Sequence, residues 1–450
     1  MSYENWESTK ECLDEIYAYE WNNIMDHGLW TDKDWIIRVN PVSGEYDAIN
    51  GHTKKIIFTE STAGAVIQDV MAVIPVYGAS IGVSSGTFLG DFIIDKNYVR
   101  ISGQGRGATV FTGKITISAS VREVCLENFG VKRTGAPSAT GIYIYSATNI
   151  VPLHLLRNLK IEDCSSYGVY IENVSDCHFD NVICIHNGYG LYALNVWKID
   201  TTKCYYYSNT VAGAYFGGTA SPCIEGGVMA SGDTEPDLGE LILDGCFPVK
   251  ISGVWFENQF AKPNIDMISV CGPVSIHGVH VSNKDTAPMI NVRANGFDIK
   301  GVFVDLAAGG SDHVPIYVVG TVDVQSFGEI GEVILGGGIL TSVYARGSYA
   351  KVQISGNLQE ANKAFTLLNM DVVVSNCGID NAVDAGATTY TDMILPMPEP
   401  DANYAIVATA DFDSPVWATL KTETGFRLNY HMTGTWQSKI SWMLFRQASG

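Results

Sequence analysis

The chain has 450 residues, with 48 acidic and 28 basic side chains and a formal net charge of −20 at neutral pH. An acidic surface of this kind repels phosphate groups, which excludes nucleic acid as a main partner. Hydrophobic residues make up 46% of the chain and charged residues 17%, so the composition supports a large core and excludes a disordered chain.

Targeting and metal signals are weak in this sequence. No run of 18 apolar residues occurs, and the first fifty residues carry charges throughout, so we expect neither a membrane span nor a signal peptide. The ten cysteines include no Cys-x-x-Cys pair. We expect mostly buried free thiols, no metal centre and no cofactor.

Residues 1–58 are predicted to be a helical docking segment. Apolar residues recur with helical spacing between positions 3 and 26, and four of the nine tryptophans lie within the first 35 residues. Tryptophan is enriched at protein interfaces, which favours an assembly role. Simple packing of the segment against the body of the protein remains an equal alternative.

A short amphipathic helix is predicted over residues 61–74. Its apolar face comprises Val66, Ile67, Val70, Met71 and Ile74. We expect this face to cover one open end of the following domain.

An internal repeat then fills residues 59–383. Each copy has an apolar residue, a polar residue, a turn residue, and two apolar residues separated by one position. The turn positions are Gly103, Asn128, Asn158, Asn181, Thr201, Gly226, Gly253, Gly278, Gly301, Gly328 and Gly356. Their spacing averages about 25 residues, the length of one solenoid coil. Glycine and asparagine suit a tight turn with positive φ, and stacked coils would place Asn128, Asn158 and Asn181 in a hydrogen-bonded ladder.

A second strand with alternating polarity lies between successive copies. It places Tyr143, Tyr170, Tyr192 and Tyr215 at the same position of four consecutive coils, with Glu172 further along the outward-facing side. Each coil should therefore contain about three short strands.

This repeat, with its column of asparagine and glycine turns, resembles the right-handed parallel β-helix of the pectate-lyase-like superfamily. The resemblance covers roughly residues 81–379 and implies an all-β, single-stranded parallel β-helix of about 11–12 coils. In that superfamily, a helix such as the one predicted over residues 61–74 caps the N-terminal end of the coils. The usual ligands of the superfamily are polysaccharides.

The last residues, 384–450, have a different pattern. After a small-residue stretch and three closely spaced prolines, four strands are predicted near residues 404–409, 416–421, 425–430 and 440–446. We interpret them as a small β-sandwich. It is similar to the C-terminal modules of phage tail spikes and to H-type lectins.

Several outward-facing residues, most of them in the tyrosine column, are candidates for polysaccharide binding. Stacked phenols would offer flat apolar faces and hydroxyl groups to a sugar ring. The predicted binding residues are Tyr143, Tyr170, Glu172, Tyr192, Tyr215, Trp255 and His280. A tyrosine stack that stabilises the coils, or that is covered by a neighbouring subunit, is the alternative interpretation.

An acidic column is the candidate for catalysis. Asp180, Asp200 and Glu225 are predicted just before the turn on three successive coils. Carboxylates about 5 Å apart would raise one pKa, and a protonated acid beside an ionised one is suited to glycoside hydrolysis. A chance column of solvated acids on an acidic chain is the alternative.

Three functional hypotheses follow from these patterns. The first is a viral tail-spike or receptor-binding protein on the virion surface, which recognises a cell-surface polysaccharide and, by the resemblance, forms a homotrimer attached to the tail or baseplate through its N-terminal segment. The second is a free polysaccharide lyase or glycoside hydrolase. The third is an assembly protein without a ligand. The motifs of polygalacturonases and pectate lyases are missing, so whether the chain is an enzyme stays open at this point.

Overall fold

The computed structural model describes residues 33–306 except 41, 136, 147–152, 233–234, 259 and 284–287, and beyond residue 306 it describes the strands named below. The helix predicted near the N-terminus, at positions 3–26, lies outside the described residues. Parallel strands stack in coils along most of the chain and form three sheets, which we number in the order in which the chain passes through them.

Sheet 1 contains the strands that precede the turn of each repeat. Two of its members run on into sheet 2 without a break, namely Lys198–Tyr207 and Pro222–Ala230. The strands of sheet 1 are Ala79–Val83, Val99–Ser102, Cys125–Glu127, Leu153–Arg157, Asp176–Asp180, Lys198–Tyr207, Pro222–Ala230, Val249–Ser252, Val274–His277, Phe297–Lys300, Ser326–Ile330 and Ala350–Ile354.

Sheet 2 contains the strands that follow the turn. Besides the two shared strands, they are Gly86–Phe88, Thr109–Phe111, Gly130–Lys132, Lys160–Glu162, Ile183–Ile185, Trp255–Asn258, His280–Asn283, Val302–Leu306, Val333–Gly336 and Leu358–Gln359.

Sheet 3 has twelve strands, one from each coil. They are Phe92–Ile94, Ile115–Ile117, Thr140–Tyr145, Tyr167–Glu172, Tyr189–Leu194, Ala212–Gly217, Gly239–Asp244, Ile265–Met267, Ile290–Val292, Ile316–Val319, Thr341–Arg346 and Lys363–Leu368. The parallel β-helix predicted from the repeat is therefore the fold.

The turn between sheets 1 and 2 follows the predicted pattern with two exceptions. One is the shift at Thr201 described below. The other is Gly328, which was predicted at a turn but lies within the strand Ser326–Ile330, where it pairs with Phe297.

Asn128, Asn158 and Asn181 have φ values of 61°, 52° and 55°. The Asn158 amide donates to Asn128 Oδ1 at 3.1 Å, and the Asn181 amide donates to Asn158 Oδ1 at 2.8 Å. This asparagine ladder is confirmed.

The register predicted for the next coil is wrong. Lys203, with φ of 53°, occupies the turn that was assigned to Thr201. Thr201 lies within a strand and its side chain is buried. A β-branched residue is poorly suited to positive φ, so the chain turns two residues later. The shift moves Tyr206 into the core, where it is 1% exposed.

The N-terminal end of the coils is closed by a small capping unit. Strands Trp35–Val39, Tyr46–Asn50 and Ile56–Glu60 pair antiparallel, and the first of them also pairs in parallel with the first strand of sheet 1. These three strands were not predicted from the sequence. The following helix, Ala63–Val73, begins after Thr62, whose hydroxyl accepts from the Ala65 amide at 3.2 Å. The predicted apolar face of the helix is buried in the core.

Two three-stranded antiparallel sheets follow the coils. One contains Asn376–Ala382, Ser438–Arg446 and Tyr404–Ala410, and the other contains Tyr390–Ile394, Gly425–Asn429 and Trp417–Thr422. The predicted four strands are present, and two more precede them. Since Asn376–Ala382 pairs with the last strand, this sheet pair includes residues ahead of position 384.

Apolar side chains from all three sheets fill the inside of the coils in one continuous core. The eight cysteines with described side chains are free, and all of them except Cys223 are buried. Among the described residues, no helix combines the length and apolar character that a membrane span requires.

Candidate functional site

A column of tyrosine rings runs along the outer face of sheet 3. Parallel pairing places Tyr143, Tyr170, Tyr192 and Tyr215 side by side on four consecutive strands. Their ring centroids are 5.2, 5.3 and 4.7 Å apart, with interplanar angles of 18°, 9° and 5°. The rings are thus stacked nearly face to face along the coil axis.

This stacking corrects one expectation from the sequence. The inner rings of the column, Tyr170 and Tyr192, have a neighbouring tyrosine on each face, so these faces are not available to a sugar ring. Each aromatic pair contributes about 0.5–1.5 kcal/mol, and the column therefore stabilises the coils. What it presents to solvent is a row of ring edges and hydroxyl groups.

Three further tyrosines enlarge this surface. Tyr167 and Tyr189 stack on each other at 5.5 Å and contact Tyr192 edge to face, at 5.2 and 5.1 Å. Tyr145 stacks against Tyr143 at 6.3 Å. We call these seven residues, which are Tyr143, Tyr145, Tyr167, Tyr170, Tyr189, Tyr192 and Tyr215, the tyrosine face. The signal in the sequence was the Tyr-Gly-x-Tyr pattern that begins at both Tyr167 and Tyr189.

Two carboxylates hold hydroxyl groups of the tyrosine face. The Tyr170 hydroxyl donates to Glu172 at 2.8 Å, and the Tyr215 hydroxyl donates to Asp244 at 2.7 Å. The pKa of both phenols is raised, mainly by burial and to a smaller extent by the hydrogen bond to the carboxylate. Both phenols therefore stay neutral hydrogen-bond donors. The other five hydroxyl groups have no hydrogen-bond partner among the described residues.

The separation of these two carboxylates limits their chemistry. Glu172 and Asp244 occupy the same position three strands apart. That places their backbones roughly 14 Å apart at strand spacing. A glycosidase pair requires roughly 5–9.5 Å between its carboxyl groups, so Glu172 and Asp244 are too far apart to form such a pair.

Charged and polar groups extend the face in both directions. At one end, Lys114 Nζ lies 5.7 Å from the centroid of the Tyr143 ring. At the other end, Ile242 follows Tyr215 in the column, and Asp266 and Asn291 follow Ile242. The Asn291 amide donates to Asp266 at 2.7 Å. Burial raises the pKa of Asp266 in spite of this hydrogen bond.

The predicted acidic column is not assembled as expected. Asp180 and Glu225 share a register position in sheet 1, but Thr202 stands between them. Asp200 pairs instead with His178 and Cys223, two residues away from that position. The cause is the same shift of the turn from Thr201 to Lys203.

Basic neighbours compensate two of these three acids. His178 Nδ1 lies 3.0 Å from Asp200, and Lys250 Nζ lies 2.6 Å from Glu225. Burial acts to raise the pKa of Asp200, but the hydrogen bond and charge of His178, together with Lys198, lower it overall. Asp200 is therefore ionised at neutral pH, and the expected rise in pKa does not occur there.

Trp255 and His280 lie on a different face from the tyrosines. They are adjacent in sheet 2, with ring centroids 4.6 Å apart. The structure thus divides the predicted binding residues between two faces, with five of them on sheet 3 and two on sheet 2.

One constellation that resembles a nucleophilic triad fails on geometry. The His277 Nε2 atom lies 3.3 Å from Ser275 Oγ and 3.0 Å from Asp298 Oδ2. A triad histidine contacts its serine and its carboxylate through different ring nitrogens. Because both contacts here use Nε2, Ser275 has no general base in this arrangement.

Comparison with known proteins agrees with the coil architecture. A family model described as "right handed beta helix region" matches residues 140–317. The predicted right-handed parallel β-helix is therefore confirmed over the coils that carry the tyrosine face. The comparison with curated proteins finds no match.

Several solved structures are similar to this chain. The ORF18 product of Geobacillus virus E2 is 13% identical with a TM-score of 0.45, covering 88% of this chain and 84% of its own. The enzymatically active domain of bacteriophage CBA120 tailspike protein 2 is 12% identical with a TM-score of 0.45, covering 93% and 79%. The tailspike of Acinetobacter baumannii bacteriophage AP22, solved with a capsular saccharide, is 10% identical with a TM-score of 0.41, covering 86% and 94%. Likenesses at this level of identity and TM-score say nothing about activity.

Proposed function

We propose that this chain is a viral tail-spike or receptor-binding protein that recognises a cell-surface polysaccharide through the tyrosine face of sheet 3. The observation that carries the proposal is the row of phenol hydroxyls and carboxylates that runs along the coil axis. An extended polymer presents hydroxyl groups at regular intervals, and such a row can bind several of them in succession.

Tyr192 is the centre of the proposed site. Its ring is fixed between Tyr170 and Tyr215, so the hydroxyl is held in place before any ligand binds. Preorganisation of this kind lowers the entropic cost of binding. The two carboxylates that hold the neighbouring hydroxyls lie on either side along the coil axis and can accept hydrogen bonds from sugar hydroxyls.

The biological setting that we propose depends on the resemblance of the sequence to viral tail spikes. We place the protein on the virion surface as a homotrimer attached to the tail or baseplate through residues 1–58. Whether it also cuts the polysaccharide is a separate question. Asp180 and Glu225 are separated by Thr202, and Asp200 and Glu225 have basic neighbours, so this arrangement gives no support to cleavage by these residues.

The test compares the wild-type chain with a Tyr192→Phe variant on immobilised purified bacterial capsular polysaccharides and lipopolysaccharide O-chains. The Tyr192 hydroxyl has no partner within the described chain, so its removal should leave the unfolding temperature unchanged. Loss of one ligand hydrogen bond should weaken binding about three- to tenfold.

Tyr77→Phe is the matched control, because Tyr77 is 66% exposed and lies outside the tyrosine face. Equal affinity of Tyr192→Phe, Tyr77→Phe and wild type would contradict the proposal. Release of reducing ends that is lost in Asp200→Asn or Glu225→Gln, in a monomeric protein, would instead favour a free depolymerase.

A further inference from the structure

A stripe of exposed aromatic residues crosses the outer face of sheet 2. Tyr205, Val228, Trp255, His280 and Phe303 occupy one register position on five consecutive coils. Tyr205, Trp255 and Phe303 are 42%, 51% and 40% exposed. A contiguous apolar surface of this kind is uncommon on a solvated protein and is typical of an interface. We call it the aromatic stripe.

The turn next to the aromatic stripe changes its residue type at the same coils. Asparagines fill the turn at positions 128, 158 and 181, Lys203 fills it at the first coil of the stripe, and glycines fill it at the other four, at positions 226, 253, 278 and 301. Asparagine tolerates this conformation and would extend the ladder, so the turn conformation does not by itself explain the glycines. At Gly278, an added Cβ would contact nothing within 4 Å. The turn at Gly278 therefore leaves room for close approach by another chain beside the aromatic stripe.

The charges of sheet 1 at the same coils are balanced. Lys198, Lys250 and Lys300 face outward together with Asp200, Glu225 and Asp298, which gives three positive and three negative groups. Lys250 pairs with Glu225 at 2.6 Å, and Lys300 pairs with Asp298 at 3.0 Å. This balance is local, since the whole chain carries −20.

We propose that the aromatic stripe and the glycine turns beside it form the contact between two copies of this chain. This inference rests on the assembly stated in the proposed function, and it names the surface that forms it. Two strongly acidic copies repel each other across most of their surface, whereas a charge-balanced face with an apolar stripe allows them to approach. Stripe and turns both run along the coil axis, so neighbouring copies can pack side by side over several coils.

The experiment measures the molar mass of the full chain by light scattering over a hundredfold range of concentration. The first variant is Gly278→Asn, which keeps a residue suited to positive φ and adds a side chain where a single chain has empty space. The second is the double change Trp255→Ser with Phe303→Ser. Trp197→Ser is the matched control, because Trp197 is 74% exposed and lies outside the aromatic stripe.

We expect the wild type and the control to have a molar mass that is a multiple of 48.8 kDa. Both variants should dissociate to 48.8 kDa at a protein concentration at least tenfold higher than the wild type does. Unfolding temperatures measured at single-chain concentrations should agree for the wild type and Gly278→Asn. A wild-type chain that stays at 48.8 kDa at every concentration would overturn the inference. Variants that assemble as the wild type does would overturn it too. Polysaccharide binding on the same samples tests the proposed function separately.

Discussion

The asparagine ladder shows how a single residue type can fix the register of the coils. Asn158 has a φ of 52° and shares hydrogen bonds with Asn128 and Asn181. Its amide group therefore serves two neighbouring coils at once. The ladder was predictable because asparagine combines tolerance of positive φ with an amide that can donate and accept.

We predict that Asn158→Ala lowers the free energy of unfolding by about 2–3 kcal/mol. The change removes two hydrogen bonds, and it places alanine, which tolerates positive φ less well than asparagine, at the turn. Asn158→Gly removes the same bonds but relieves the backbone strain, so its loss should be smaller. Urea unfolding of the three proteins checks both statements. A glycine variant less stable than the alanine variant would contradict this explanation of the turn.

Glu240 is a buried carboxyl group inside the coils. It is 2% exposed, and its Oε1 atom has no hydrogen-bond partner among the described residues. Its pKa is raised to about 8, mainly by burial and to a smaller extent by the negative charge of Glu257. The folded state therefore holds this proton more firmly than the unfolded state, in which the pKa is near 4.5.

Stability should consequently fall as pH rises from about 4.5 to about 8, by up to about 1.4 kcal/mol per pH unit for this group. Glu240→Gln removes the titrating proton, so the variant should lose less stability than wild type across that window and be the more stable protein at pH 9. Thermal unfolding at pH 4.5 and pH 9 measures this, with the exposed Glu235→Gln as control. A parallel pH dependence of Glu240→Gln and wild type would show that Glu240 is already ionised at low pH.

Three features at the residue scale could not be predicted from the sequence, and each has a physical reason. Asn187 and Asn209 form a second, buried amide pair at 3.2 Å that no turn pattern indicated. The Lys203 turn was missed because lysine is not a typical turn residue. The faces of the tyrosine rings were expected to be open, but the distance between strands, about 4.8 Å, brings adjacent rings into contact.

At the scale of elements, the helix Ala63–Val73 has a defined role at the end of the coils. Its residues Val66, Ile67, Val70 and Met71 are fully buried. The helix packs against the three capping strands and against the strand Phe92–Ile94 of the first coil. Without this cover, the apolar interior of a parallel solenoid would be open at that end. The helix was predictable from the spacing of its apolar residues. The three antiparallel strands before it were not, because short strands without a repeat leave little periodic signal.

We predict that Ile67→Asp places an unpaired charge in this contact and lowers the unfolding temperature by at least ten degrees, with more aggregation during expression. Val73→Asp is the matched control, since Val73 lies on the same helix and is half exposed. Its unfolding temperature should stay within about two degrees of wild type. Equal unfolding temperatures of the two variants would contradict the capping role of the helix.

At the scale of the whole molecule, the fold separates two kinds of aromatic surface. The tyrosine face on sheet 3 combines phenols with carboxylates, whereas the aromatic stripe on sheet 2 is mostly apolar and lies beside balanced charges. The repeat predicted the coils, and with them most of the tyrosine column. It did not predict how the aromatic residues divide between a surface proposed for a ligand and a surface proposed for another chain, since that division depends on side chains from different coils meeting in space.

The central claim is that polysaccharide binds along the tyrosine face. Hydroxyl-radical footprinting with mass spectrometry tests it most directly, on the full chain with and without a capsular polysaccharide or O-chain that it binds. We predict that the bound polysaccharide lowers the oxidation of Tyr167, Tyr189 and Tyr192 at least threefold and leaves Tyr77 and Trp197 unchanged. Protection of other residues with no change at the tyrosine face would contradict the claim.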